Sequence, residues 1–161
     1  MAKHIEVNLE KCTACRLCEF ACSIHHFGEI NPAKARIKVS IVSKDFFYYP
    51  NVCKQCSKAP CVEVCPKDAL VRDKDTDAVI VNTDDCIGCR LCVRACPFGA
   101  MGFHKEDKLA DKCDLCGGDP ECVKHCFYGA LEFKTPEQTV ADVSFEYTNK
   151  IKTAYLQEVT E

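Results

Sequence analysis

The sequence predicts an α+β chain of short strands and short helices, built by duplication of one unit and closed by a longer C-terminal helix. Three observations lead there. Sixteen cysteines fall into four groups of four with repeated spacings, brief β-rich stretches bounded by polar turns surround those groups, and the pattern changes to helical periodicity after Thr135.

In chain order, a first strand is expected at Ile5 to Asn8, running into the first group, Cys12, Cys15, Cys18 and Cys22. A second strand is expected at Ile37 to Val42. The second group is Cys53, Cys56, Cys61 and Cys65. A third strand follows at Ala69 to Arg72, and the polar run Asp73-Lys74-Asp75-Thr76-Asp77 joins it as a hairpin to a fourth at Val79 to Asn82. The third group is Cys86, Cys89, Cys92 and Cys96, and the fourth is Cys113, Cys116, Cys122 and Cys126, with a short helix expected after the third cysteine of each group. From Thr135, a capping residue ahead of Pro136, the residues Val140, Val143, Tyr147, Ile151, Ala154 and Tyr155 recur at helical spacing. That apolar stripe is expected to dock on the body of the chain or on a partner.

The duplication is written in the text between the cysteines. Groups one and three share C-x2-C-x2-C-x3-C, with Cys15-Arg16-Leu17-Cys18 against Cys89-Arg90-Leu91-Cys92, and Val7-Asn8 and Val81-Asn82 lead into them alike. Groups two and four share a longer middle gap that contains Pro60 or Pro120. Groups two, three and four also leave by a common exit, Cys65 to Leu70, Cys96 to Met101 and Cys126 to Leu131.

With 161 residues the chain suits one domain, but its 47% hydrophobic content includes the sixteen cysteines, so the usual core builders are scarce. Something besides side-chain packing must hold the interior. Cysteine at this density marks disulfide scaffolds in secreted proteins, yet Met1 to Val7 carries no apolar leader and no twin arginine, so a cytoplasmic address with free thiols is expected. No run approaches the roughly 18 apolar residues of a membrane span. A net charge of −3 with scattered basic residues gives no footprint for nucleic acid.

A 4Fe-4S cube needs four thiolates, and a loop with cysteines at every third residue wraps three of them around it. In the bacterial ferredoxin run C-x2-C-x2-C-x3-C-P the last cysteine serves the neighbouring cluster, so two cubes are held by interlocked motifs. Cys86 to Pro97 fits that run at every position, while Ser23 and Phe127 replace the proline after groups one and four. Paired C-x2-C elements also bind zinc, but the extra cysteines of groups one and three have no purpose in a tetrahedral zinc site. Sixteen cysteines with none left over are expected to hold four 4Fe-4S clusters, giving a loaded charge of roughly −11 that favours partner surfaces with positive charge.

From Ile5 to Phe133 the chain resembles the four-cluster ferredoxin-like subunits of molybdenum and tungsten oxidoreductases, a family that includes the iron–sulfur subunits of dimethyl sulfoxide reductase, nitrate reductase and formate dehydrogenase. Within it, Cys15-Arg16-Leu17-Cys18-Glu19-Phe20-Ala21-Cys22-Ser23 and Asn31-Pro32-Ala33-Lys34-Ala35-Arg36-Ile37 look most like the small polyferredoxin subunits of tungsten enzymes of the aldehyde oxidoreductase type, some of which reduce benzoyl-coenzyme A. The resemblance implies nested motif pairing. Cys53, Cys56, Cys61 and Cys96 would hold one cluster and Cys65, Cys86, Cys89 and Cys92 its neighbour. Cys12, Cys15, Cys18 and Cys126 would hold a third, and Cys22, Cys113, Cys116 and Cys122 the fourth. It also implies a duplicated bacterial-ferredoxin-like body over residues 1–133, with 50–104 as an inner ferredoxin unit, 1–49 plus 105–133 as an outer one, and 134–161 as an amphipathic tail.

The sequence offers no phosphate-cradling glycine loop and no nucleophile–base motif, so the chain is not expected to be an enzyme by itself. The expected function is electron transfer between the tungsten- or molybdenum-pterin cofactor of a large catalytic subunit and a ferredoxin, a nicotinamide-reducing module or a second copy of this chain. A free-standing polyferredoxin and a subunit of another enzyme, such as carbon monoxide dehydrogenase, are the alternatives. The exposed aromatic run Phe46 to Tyr49 favours a docked chain. His4, His25, His26, His104 and His125 read as surface residues, with His125 placed to hydrogen-bond at Cys126. Arg16 and Arg90, inside cluster loops, would offset cluster charge or remain solvated.

Overall fold

The two ends of the body are stitched together by a strand pair, and everything else hangs inside it. The computed structural model describes residues 3–42, 44 and 46–159, without the side chains of Lys150 and residues 154–159. Its elements are β1 (His4–Val7), α1 (Leu17–Phe27), β2 (Lys38–Val42), β3 (Phe47–Asn51), α2 (Pro60–Glu63), β4 (Leu70–Arg72), β5 (Val79–Val81), α3 (Leu91–Ala95), β6 (Gly102–His104), β7 (Leu109–Asp111), α4 (Glu121–Lys124), β8 (Leu131–Lys134) and α5 (Pro136–Val159). The strands form four two-stranded antiparallel sheets, β1–β8, β2–β3, β4–β5 and β6–β7. Helix α1 packs on α4, and α2 on α3.

All four expected strands form, within a residue at each end, and the β4–β5 hairpin turns where the Asp73 to Asp77 run predicts. Asp73 stabilises that turn by accepting from Thr76 N and Thr76 Oγ1 at 2.8 and 2.6 Å. Four strands were not expected. One of them, β3, absorbs much of the aromatic run: Phe46 and Phe47 stay exposed, while Tyr48 and Tyr49 are half-buried and pair with Ile41 and Ser40. The missed strands are short or carry Gly102, Pro50 and charges. Such runs form in two-stranded sheets because every strand is an edge and a residue lacking an N–H donor is tolerated.

The helices begin one residue before the third cysteine in each group rather than after it. The shared Arg-Leu-Cys text has one backbone: Arg16 (φ 63°, ψ 9°) and Arg90 (φ 63°, ψ 13°) both cap their helices from the left-handed region. Helix α1 runs longest of the four cysteine helices and stops at Gly28 (φ 69°), whose N–H bonds Ile24 O.

The interior is split, and thiols form part of both halves. One core joins Ile5, Ile37, Val52, Leu115 and Leu131 with Cys18, Cys22, Cys113 and Cys122. The other joins Leu70, Val79, Met101 and Ala110 with Cys92. Phe27 of α1 stacks on His104 of β6 at 4.8 Å between ring centres, which tethers α1 to the β6–β7 hairpin.

Helix α5 forms with a capping box: Thr135 Oγ1 accepts from Gln138 N at 3.3 Å and Gln138 Oε1 accepts from Thr135 N at 2.9 Å. Its stripe does not settle on the body. Polar contacts fix the first turns, with Lys134 bonding Asp142 at 2.7 Å and Thr139 Oγ1 lying 3.3 Å from Glu6, and they direct the helix outward. Val140, Val143, Tyr147 and Ile151 are exposed, and the side chains of Ala154 and Tyr155 lie outside those described.

Candidate metal centres

The sixteen cysteines are all free thiols, and the fold gathers them into four sets. Cys12, Cys15, Cys18 and Cys126 line one cavity with Val39, Pro50, Ala130 and Leu131, here site I. Cys22, Cys113, Cys116 and Cys122 line site II, walled by Ile5, Ile37, Val52 and Leu115. Cys53, Cys56, Cys61 and Cys96 line site III with Pro60, Ala100 and Met101. Cys65, Cys86, Cys89 and Cys92 gather at the second core as site IV: burial raises the Cys92 thiol, and the nearby Cys86, Cys89 and Cys65 raise it further.

Each site adjoins the next in the order I, II, III, IV. Burial and its own site neighbours push Cys122 of site II well up, and Cys18 of site I adds to the push. Burial pushes Cys113 of site II up to about 12, with Cys53 of site III contributing. Sites III and IV share the second core. Only Cys15 and Cys89 of the sixteen are exposed, one in site I and one in site IV.

Local backbone explains how short loops curl around these cavities. Ala14, Arg16, Gln55, Arg90, Leu115 and Cys116 all have φ between 47° and 63°, a region that costs L-residues roughly 1–2 kcal/mol each. Such strain persists where the surroundings impose it, commonly at ligand sites. At the position matching Ala14, glycine is compulsory: Gly88 has φ 67°, and a Cβ there would meet Lys108 O at 2.1 Å.

Backbone amides are aimed at sulfur. Ala69 N, Ala100 N and Ala130 N donate to Cys65, Cys96 and Cys126 Sγ at 3.3, 3.4 and 3.2 Å. This is the physical content of the common exit in the sequence. Each bond stabilises thiolate over thiol, and would ease added negative charge on a cluster held there.

Charged groups cluster at site II. Arg36 donates from Nε to Asp111 at 2.7 Å and from Nη1 to Asp114 at 2.6 Å. His26 Nε2 lies 3.3 Å from Arg36 Nη1 and 3.8 Å from Cys116 Sγ, and burial, then Arg36, lowers its pKa. Reading His26 as a surface residue missed this, because a histidine on a helix reveals its neighbours only once α1 meets the Cys113–Cys116 loop. His104 is likewise largely buried beneath Phe27. His125 lines site I, but its Nδ1 is 2.9 Å from Glu121 O. Arg90 lies over the Phe103 ring at 4.0 Å, and Arg16 pairs with the buried Glu19 at 3.4 Å.

Chemically, each set offers four soft sulfur donors, and the three lined cavities have largely apolar walls without a carboxylate. That donor set suits iron–sulfur chemistry and is wrong for hard cations such as magnesium or calcium, which take oxygen ligands.

Comparison with known proteins points the same way. A 4Fe-4S dicluster domain model matches residues 44–136, and a 4Fe-4S binding domain model matches residues 9–28. The chain is 43% identical over 116 residues to the aliphatic sulfonate oxidoreductase polyferredoxin-like subunit of Pyrococcus furiosus, a match covering 72% of this chain and 66% of that protein. It is 36% identical over 136 residues to the electron transport protein HydN of Escherichia coli, covering 72% of this chain and 77% of HydN. A chain in the solved active site complex BamBC of benzoyl coenzyme A reductase with benzoyl-CoA superposes with a TM-score of 0.50 at 27% identity, covering 89% of this chain and 88% of that one. Among the described residues no helix is long and apolar enough to cross a membrane. With the dicluster model matched over residues 44–136 of its 161, the chain belongs to the 4Fe-4S dicluster-domain family of iron–sulfur proteins.

Proposed function

We propose that this chain is an electron-transfer subunit that holds four 4Fe-4S clusters in a row, one each in sites I to IV, and relays electrons between a catalytic oxidoreductase subunit and a redox partner. The observation that carries the reading is that four thiol sets adjoin one after another, with an exposed cysteine in the first and the last, Cys15 and Cys89. Bound there, a 4Fe-4S cluster supplies a one-electron couple. The residues then have distinct tasks. Cysteine sulfurs hold the metal, the amides of Ala69, Ala100 and Ala130 stabilise added charge, and Ile5, Ile37, Val52, Leu115 and Met101 keep water from the interior sites.

The reading treats residues 1–133 as two nested ferredoxin units, 50–104 inside and 1–49 plus 105–133 outside, with the turn of the β6–β7 hairpin at their junction and 134–161 as a tail. The nested strand pairs and the contacts of α1 with α4 and α2 with α3 support it. A large tungsten- or molybdenum-pterin subunit is the proposed catalytic partner, on the likeness to an oxidoreductase subunit and to a chain of an active site complex. Exposed Phe46, Phe47 and the apolar residues of α5 offer docking surface for it. The chain is proposed to be non-catalytic and to work in the cytoplasm, with a ferredoxin or nicotinamide-reducing module at the other end.

Anaerobic purification of the chain from its native host tests the assembly. Co-elution with a large pterin-containing subunit is expected; a chain that elutes alone under gentle conditions contradicts it.

A further inference from the structure

Lys112 is a buried cation set between two candidate cluster sites. It is 3% exposed and directly precedes Cys113, a wall of site II, while its own side chain lines site III with Cys53, Cys56, Cys61 and Cys96. Its Nζ donates to Cys113 O at 3.1 Å, to Gln55 Oε1 at 3.3 Å and to Val79 O. An ammonium has three N–H donors and no acceptor, so three oxygens match it, whereas a neutral amine would turn its lone pair toward one of them. Gln55 completes the link. Lying between Cys53 and Cys56 in a left-handed backbone conformation (φ 47°), it donates to Cys113 O at 2.9 Å and accepts from Val79 N at 3.0 Å.

Among the described residues no carboxylate pairs with Lys112 within 4.0 Å, although burying a cation without a counter-ion is costly. Thiols surround it instead: Cys53, Cys56, Cys61 and Cys96 line the cavity it enters, and Cys113 is the next residue.

We infer that Lys112 is the shared counter-ion of the two interior clusters, holding sites II and III at higher reduction potential than their burial alone would set. The inference rests on the proposed four-cluster reading. Each cluster gains one electron, hence one negative charge, on reduction. A fixed positive charge between sites II and III favours that gain at both, and it keeps the middle of the row from becoming a barrier between the ends.

The test is an anaerobic redox titration, followed by paramagnetic resonance, of the wild-type chain and of Lys112→Met, Lys112→Gln and Lys112→Arg, each with its iron counted. In the Met and Gln variants two of the four midpoints are expected to move negative, with the reduced-to-oxidised ratio at fixed poise dropping about tenfold, or ~59 mV for a one-electron couple. The other two stay, and Lys112→Arg keeps all four midpoints near their wild-type values. Loss of iron from sites II and III in the Met and Gln variants but not in Lys112→Arg also supports a counter-ion. Full iron with four unmoved midpoints overturns the inference, as does equal iron loss in Lys112→Arg, which marks a purely structural side chain. A wild-type chain without clusters instead overturns the four-cluster reading itself.

Discussion

The amide of Arg36 donates to Cys22 Sγ across 3.2 Å from fourteen residues away. In the other three groups the same bond is local, made by the alanine four residues after the last cysteine. The first group lacks that exit, because Cys22 sits inside α1 and its following residues are helical. The segment between α1 and β2 returns to supply the missing donor, and the Arg36 side chain then ties Asp111 and Asp114 to the same spot.

Arg36→Met should therefore loosen site II without touching a cysteine. Two partly buried carboxylates lose their cation. Burial pushes Asp114 up, and Arg36 holds it below the ordinary carboxylate value. A loss of about 2–3 kcal/mol is expected, at the low end for a broken buried pair because all three side chains retain some exposure. Chelator-challenged melting of the loaded protein reads it; an unchanged melting profile contradicts this role.

Gly88→Ala and Ala14→Gly should act in opposite directions. Gly88 combines φ 67° with the close approach of Lys108 O, so a methyl group forces the Cys86–Cys89 loop open and about a quarter of the iron should be lost from site IV. Ala14 occupies the matching position at φ 56°, where glycine relieves roughly 1 kcal/mol of strain. Iron counts and melting temperatures of the two variants decide the matter, and equal behaviour is the adverse result.

Cys89→Ala and Cys113→Ala should differ in severity. Cys89 is exposed at the end of the row, so its loss removes or degrades one cluster and leaves most of the fold. Cys113 is buried in the larger core with Cys22 and Cys122 of its own site and Cys18 of site I, so its variant should lose more than one cluster's iron. Iron per chain, measured on both variants, is the check, and equal retention of the full complement contradicts both assignments.

Cluster retention should fall with acid. Burial pushes Cys18 and Cys113 up to about 12, so below the ordinary thiol value of 9.0 these ligands are neutral without metal, and loading must displace their protons. The sign follows. The metal-free fold is unpenalised below pH 9.0 and destabilised as pH climbs toward about 12, whereas the loaded chain holds metal more tightly as pH rises. Iron captured by a chelator between about pH 5 and pH 8 should decrease with pH; a flat profile contradicts the thiolate ligand set.

Much of this molecule is legible in its cysteines. Their spacing carries the repeat, and the recurring alanine of the exits corresponds to an amide-to-sulfur bond that spacing alone does not reveal. The strands at β1, β2, β4 and β5 follow from apolar runs beside polar turns. What escaped reading depends on distant parts meeting. The β1–β8 pair joins His4 to Lys134, β3 forms because β2 lies beside it, and His26 and Lys112 look like ordinary polar residues until α1 and β7 carry them to the thiol sets. The α5 stripe shows the converse. Its periodicity correctly predicts a helix, but Lys134, Asp142 and Thr139 decide where that helix points.

Whether sixteen thiolates hold four cubes is tested most directly by iron and acid-labile sulfide analysis of anaerobically prepared protein, combined with spin counting after full reduction. About sixteen iron and sixteen sulfide per chain, with a paramagnetic signal broadened by interaction between neighbouring clusters, are expected. Material rich in zinc, or with little iron and silent after reduction, would contradict it.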